Sequence, residues 1–117
     1  MSPETLLLAE IIHKTPSVAL WIISSDSWEN LKTIFKQYLK EENTQWVIEI
    51  EDTNKDLLVE NIKSYDLGET IIHTWLMSKG GYELFSSYDR MVMVTIDRTL
   101  GISAEFLNEI GIDAYIS

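Results

Sequence analysis

Ile71-Ile72-His73-Thr74-Trp75-Leu76-Met77 carries apolar side chains at 71, 72, 75, 76 and 77, the spacing that lines one face of a helix, and the run stops at Gly80-Gly81. As a helix it continues a segment that starts near Lys55, carries Leu57, Leu58 and Ile62 as far as Lys63, and breaks around Tyr65-Asp66-Leu67-Gly68. One broken helix or two short ones fit residues 53–68 equally. On its near side, Gln45-Trp46-Val47-Ile48-Glu49-Ile50-Glu51 alternates, with Trp46, Ile48 and Ile50 on one face and Val47, Glu49 and Glu51 on the other. That is the pattern of a half-exposed strand at a sheet edge. On its far side a loop over 80–89 holds Tyr82, Phe85 and Tyr88, and Met91 to Ile96 is continuously apolar, as a buried strand is. The helical segment is then a crossover between two strands.

Working outward, Ser2 caps a first helix with Pro3 at its first position, and His13 and Lys14 complement its C-terminal dipole before Pro16 ends it. Val18-Ala19-Leu20-Trp21-Ile22-Ile23 is apolar on both faces and rich in β-branched residues, which predicts a central buried strand. Asp26-Ser27-Trp28-Glu29 offers an acidic cap for a helix bearing Trp28, Leu31, Ile34, Phe35, Tyr38 and Leu39. Ser103 caps a short helix through Glu109, Gly111 breaks it, and Asp113 to Ile116 is a short closing strand. The order α-β-α-β-α(α)-β-α-β leaves room for a helical crossover between each pair of strands. It predicts one α/β domain over residues 1–117: a three-layer α/β/α sandwich with a mostly parallel four-stranded sheet in the order 2-1-3-4. Such a layout resembles flavodoxin. No internal repeat, low-complexity tract or interdomain linker interrupts it.

The chain of 117 residues, 45% of them hydrophobic, is long enough to bury its own core. The absence of cysteine excludes a disulfide framework, Cys-ligated zinc and thiol catalysis, and fits a reducing compartment. With no basic leader at the N-terminus and no apolar run near the roughly 18 residues of a spanning helix, a soluble cytoplasmic protein is expected. A net charge of −10 with only nine Lys and Arg argues against nucleic acid and against an anionic membrane as partners.

In a parallel sheet, ligands lodge beyond the carboxyl ends of the strands. Ser24, Ser25, Asp26 and Ser27 follow the first predicted strand, Asp52 and Thr53 the second, and Asp97, Arg98 and Thr99 the third. Asp26, Asp52 and Asp97 could together hold one Mg²⁺ for phosphoryl chemistry. That arrangement is similar in topology to receiver domains and toprim-type enzymes, although their paired acids and Asp-x-Asp are missing here. The competing reading has Asp26 capping a helix and Asp97 opening a turn. The loop after the first strand contains no glycine to cradle a phosphate, and His13 and His73 are too far apart in sequence for a histidine zinc motif. A Gly-x-Ser-x-Gly elbow is also absent, so no cofactor, resident metal or catalytic residue is expected.

Nine carboxylates (Glu41, Glu42, Glu49, Glu51, Asp52, Asp56, Glu60, Asp66, Glu69) crowd residues 41–69 against Lys55 and Lys63 alone. Such a field favours a cationic partner. Glu49, Glu51, Tyr65, Asp66, Glu69, Tyr82, Glu83, Tyr88 and Asp89 mix acids with large amphipathic rings, the composition of a protein interface. The expected function is therefore an acidic, non-catalytic binding protein that neutralises a basic partner, as an immunity protein or antitoxin does with a nuclease-type toxin. In size, acidity and expected sheet class it is similar to barstar-type inhibitors. Two alternatives share the parallel-sheet expectation: a STAS- or receiver-like regulatory domain, with Ser24, Ser25 and Ser27 as phosphate acceptors or the three aspartates as ligands, and a small Mg-dependent phosphoryl-transfer enzyme.

Overall fold

Ser2 and Pro3 start a helix as their residue types require: Ser2 Oγ accepts from Thr5 N at 3.2 Å, with Pro3 in the first turn. In the computed structural model, which describes residues 1–117, this helix α1 (Pro3–Lys14) leads into strand β1 (Ala19–Ser24) and a single helical turn α2 (Leu31–Ile34). Strands β2 (Leu39–Glu42) and β3 (Gln45–Ile50), helix α3 (Lys55–Ser64) and a 3-10 turn at Leu67–Thr70 follow. The chain then forms β4 (Thr74–Ser78), β5 (Glu83–Tyr88), β6 (Met93–Ile96), a second 3-10 turn at Arg98–Leu100, helix α4 (Ala104–Ile110) and the two-residue β7 (Tyr115–Ile116).

The strands make one seven-stranded sheet in the order β2-β3-β1-β4-β5-β6-β7. Every pairing is antiparallel except β6 with β7. This overturns the expected mostly parallel four-stranded sheet and its 2-1-3-4 order. The segment Ile71–Met77 is the cause. Ile71 to Met77 is not a helix; from Thr74 onward it is β4, paired along the whole of its length with β1. The run has apolar side chains on both faces, Leu76 inward and Trp75 and Met77 outward, so its spacing cannot separate a period of 3.6 from one of 2. Non-local partners decide instead. Thr74 Oγ1 accepts from Trp21 Nε1 at 2.8 Å and donates to Ile22 O at 2.6 Å, a tie that exists only with β4 beside β1.

Two further elements change with it. Gly80-Gly81 is a hairpin turn rather than a helix stop: Gly81 has φ +82°, its N–H donates to Ser78 O, and Ser78 N returns to Tyr82 O. The expected loop over 80–89 is mostly β5. In the helix expected from Trp28 to Leu39, only Leu31–Ile34 is α-helical, and Leu39 begins β2. Hence β3 is not an edge strand, because β2 covers its outer side.

The helices lie on one face of the sheet, so the molecule has two layers rather than three. Leu7, Leu8, Ile11 and Ile12 of α1 and Leu58 and Ile62 of α3 are fully buried against Trp21, Ile23, Ile48, Ile50, Leu76, Phe85 and Ile96 from the strands. Phe35 meets Trp21 edge-to-face at 5.4 Å. Asn54 fixes the turn from β3 into α3 by accepting from Glu51 N and donating to Glu49 O. Gly68 lets the 3-10 turn after α3 press against the backbone of α1, where a Cβ would lie 2.1 Å from Thr5 N.

Candidate functional site

The opposite face of the sheet carries no helix. Register places its side chains in rows across the strands. One row runs Glu49, Leu20, Met77 and Glu83, through the pairs Leu20–Glu49, Leu20–Met77 and Met77–Glu83. The next runs Lys40, Val47, Ile22, Trp75, Ser86, Thr95 and Tyr115, so one lysine stands on the face beside Glu42 and Glu49. A third end of the face holds His73, Tyr88 and Met93, with Tyr88 paired to Met93.

A bulge puts Glu83 in the first row. The register of β4 and β5 shifts between Leu76 and Met77, so Leu84 is the extra residue and is buried in the core beside Phe85. Without that shift, the alternation from Phe85 would turn Glu83 toward the helices. With it, Glu49 and Glu83 flank Leu20 and Met77 from strands three positions apart, about 15 Å across the sheet.

Part of the apolar surface of this face is open to solvent: Leu20 is 39% exposed, Tyr88 41%, Met93 68% and Tyr115 69%, while Ile22, Val47, Trp75 and Met77 are half-buried. Trp75 Nε1 donates to Tyr88 Oη at 2.9 Å, and their rings meet edge-on at 5.7 Å with His73 packed alongside. His73 Nδ1 accepts from Asp89 N at 3.1 Å, so the aromatic cluster and the following turn hold each other. A ring pair anchored in this way offers large contact area with little side-chain entropy left to lose.

The carboxylates are mostly free of cations. Of nineteen Asp and Glu, only Glu29 and Glu41 enter ion pairs, both with Lys32. The hydrogen bond and charge of Glu41 raise the Lys32 ammonium above its ordinary value. The acids of residues 41–69 do not share one face. Glu42 and Glu49 lie on the uncovered side; Glu51 and Asp52 follow the end of β3; Asp56 and Glu60 are exposed on α3; Asp66 and Glu69 sit at the other end of the sheet.

The expected partner-binding residues therefore divide. Glu49, Glu83 and Tyr88 share the uncovered face, Glu49 and Glu83 in one row and Tyr88 at the other end of β5. Tyr65, Asp66, Glu69 and Asp89 cluster at the end of the sheet where β1 finishes, while Glu51 and Tyr82 lie at the end where it starts. Asp66 is turned to the N-terminus of α1, accepting from Ser2 N at 2.9 Å and Thr5 Oγ1 at 2.5 Å. The Thr5 hydroxyl, then the Ser2 N–H, hold its carboxyl below the usual range. Tyr82 donates its hydroxyl to Asp97 at 2.6 Å, which pushes the phenol above its usual value. The Thr99 hydroxyl and then that of Tyr82 lower the Asp97 carboxyl.

Asp26, Asp52 and Asp97 do not converge. β1 is antiparallel to β3, so Asp26 lies beyond one end of the sheet, and Asp52 and Asp97 lie beyond the other. No group of three acidic or histidine side chains in the molecule is arranged to hold a metal. Asp26 makes no capping bond either, since Asn30 precedes α2. Asp97 does open the second 3-10 turn, its carboxylate accepting from Thr99 N at 3.1 Å.

Leu20, Ile22, Trp75 and Met77 were hidden from sequence reasoning because strand and helix patterns both assigned them to the core. The signal for them was the Gly-Gly pair between two apolar runs, which is also a hairpin pattern. Comparison with protein-family models, curated proteins and solved structures finds no match for the chain.

Proposed function

We propose that the protein is a cytoplasmic, non-catalytic binding protein that neutralises a basic protein, in the manner of an immunity protein or antitoxin facing a nuclease-type toxin. It docks through the uncovered face of the sheet. The observation that carries this reading is the row Glu49–Leu20–Met77–Glu83, with two carboxylates free of ion pairs flanking the exposed Leu20 and the half-buried Met77. Exposed apolar area supplies affinity once water is excluded, and the flanking charges select a cationic surface and speed encounter. Trp75 and Tyr88 provide the aromatic anchors beside it. No helix is long and apolar enough to cross a membrane. The likeness to barstar-type inhibitors retains size and acidity but loses the shared sheet class, and STAS, receiver and toprim analogies lose the parallel strand ends they require.

The test uses two baits, the native protein and the double variant Glu49→Lys/Glu83→Lys, in capture from the lysate of its source. The native bait is expected to retain a strongly basic protein that salt elutes, and the variant to associate with it at least about tenfold more slowly at low ionic strength. Equal capture by both baits, or retention of proteins that are not basic, overturns the reading.

A further inference from the structure

A cleft of about 480 Å³ opens at the end of the sheet where β1 finishes, next to the His73–Tyr88 end of the uncovered face but sharing no residue with it, between Asp26, Trp28, Tyr65, Thr70, Ile72 and Arg90. Its volume is that of a small-molecule site. Two loops are stitched to the segment 70–72 to frame it. Trp28 N donates to Thr70 O at 2.9 Å, Ile72 N donates to the buried Ser27 Oγ at 2.9 Å, and Arg90 N donates to Ile72 O at 2.9 Å. The walls are thus set before any ligand arrives.

Trp28 and Tyr65 leave 46% and 56% of their surface in water. Arg90 and Asp26, both exposed on the same cleft, make no ion pair and no side-chain hydrogen bond, so both charged groups are free to meet a ligand. Arg90 stands in the middle of three successive left-handed residues, Asp89, Arg90 and Met91, with φ of +52°, +53° and +68°. Such conformations are costly without glycine and persist where the surrounding structure requires a particular presentation.

We propose that this cleft binds a free α-amino acid with a planar side chain, its carboxylate on Arg90, its ammonium on Asp26 and its ring against Trp28 and Tyr65. The two opposite charges of the cleft select the ligand class. A simple anion would meet Asp26, and a simple cation would meet Arg90; only a ligand carrying both charges leaves neither unpaired. The planar guanidinium suits a carboxylate bidentately, and exposed rings favour a flat, partly apolar group. The site is separate from the proposed partner surface, and either can fail without the other.

The probe is L-phenylalanine, followed by ¹⁵N–¹H spectra of the intact chain. Saturable shifts are expected at the Trp28 indole N–H and the amides of Thr70, Ile72 and Arg90, with a dissociation constant on the order of 1 mM for a ligand of this size. Phenylacetate and phenethylamine, each lacking one charge, should bind about tenfold or more weakly. Arg90→Gln should weaken L-phenylalanine by a similar factor and leave phenethylamine unchanged; Asp26→Asn should weaken it and leave phenylacetate unchanged. Absence of saturable shifts up to on the order of 10 mM, equal binding by both variants, or shifts confined to the uncovered sheet face would overturn the assignment.

Discussion

Replacing Gly68 with alanine tests the packing that sets α1 on the rest of the molecule. A Cβ there would lie 2.1 Å from Thr5 N, 2.3 Å from Glu4 C and 2.6 Å from Thr5 Cα, all backbone atoms, whereas ordinary contact begins at 3.4 Å. Backbone cannot rotate away, so α1 or the 3-10 turn must withdraw by about 1 Å, which as overpacking costs about 1–3 kcal/mol. The same withdrawal breaks the bond from Gly68 N to Thr5 Oγ1, 2.8 Å long and buried, worth about 1 kcal/mol more. It also loosens Leu7, Leu8, Ile11 and Ile12, none more than 1% exposed. Against this stands a gain of about 0.4–1 kcal/mol from a less flexible unfolded chain, leaving a net loss of about 2 kcal/mol. In urea the midpoint should fall by about 1 M at unchanged slope. Gly80→Ala is the control: nothing lies within 4 Å of its Cβ, and its stability should stay within about 1 kcal/mol of the parent. A loss under about 1 kcal/mol for Gly68→Ala would refute the close approach of α1.

Thr74→Val leaves the buried Trp21 Nε1 without its acceptor and should cost about 1–3 kcal/mol in urea melts; a loss below about 0.5 kcal/mol would mean that the indole finds water. Because hydrogen bonding lowers the Asp66 and Asp97 carboxyls in the folded state, their stabilisation is present above a pH of about 4 and is lost as pH falls through the folded values. Asp66→Asn should flatten that acid limb of melting temperature against pH, and an unchanged limb would show that the contact with α1 is not formed. Tyr82 acts at the other extreme: its raised phenol stabilises below about pH 10 and ceases to as pH rises through the folded value, so Tyr82→Phe should remove part of the alkaline limb. An alkaline limb that Tyr82→Phe leaves unaltered would place the Asp97 bond outside the solution structure.

Local chemistry was legible where a residue acts on its near neighbours. The Ser2 and Ser103 caps, the Pro3 start, the Gly111 stop and the alternation of Gln45 to Ile50 all appear as the residues dictate. The inward face of β3, Trp46, Ile48 and Ile50, is buried and Glu49 is exposed, as that alternation requires. The site was legible only in part. Glu49, Glu83 and Tyr88 belong to one face, but acids adjacent in sequence, such as Glu49 and Asp56, serve different layers because a strand and a helix separate them.

The sequence by itself determined an acidic single α/β domain, the positions of α1, β1, β3, α4 and β7, and a chemistry without thiols. Only the tertiary structure decided the direction of the strands and therefore which side chains share a surface. The reason is physical: spacing along the chain reports period, and Ile71 to Met77 satisfies two periods at once, whereas strand direction depends on partners dozens of residues away, as Trp21 and Thr74 are. The energy that chooses between helix and strand there is released when Thr74 meets β1, a contact that no local window contains.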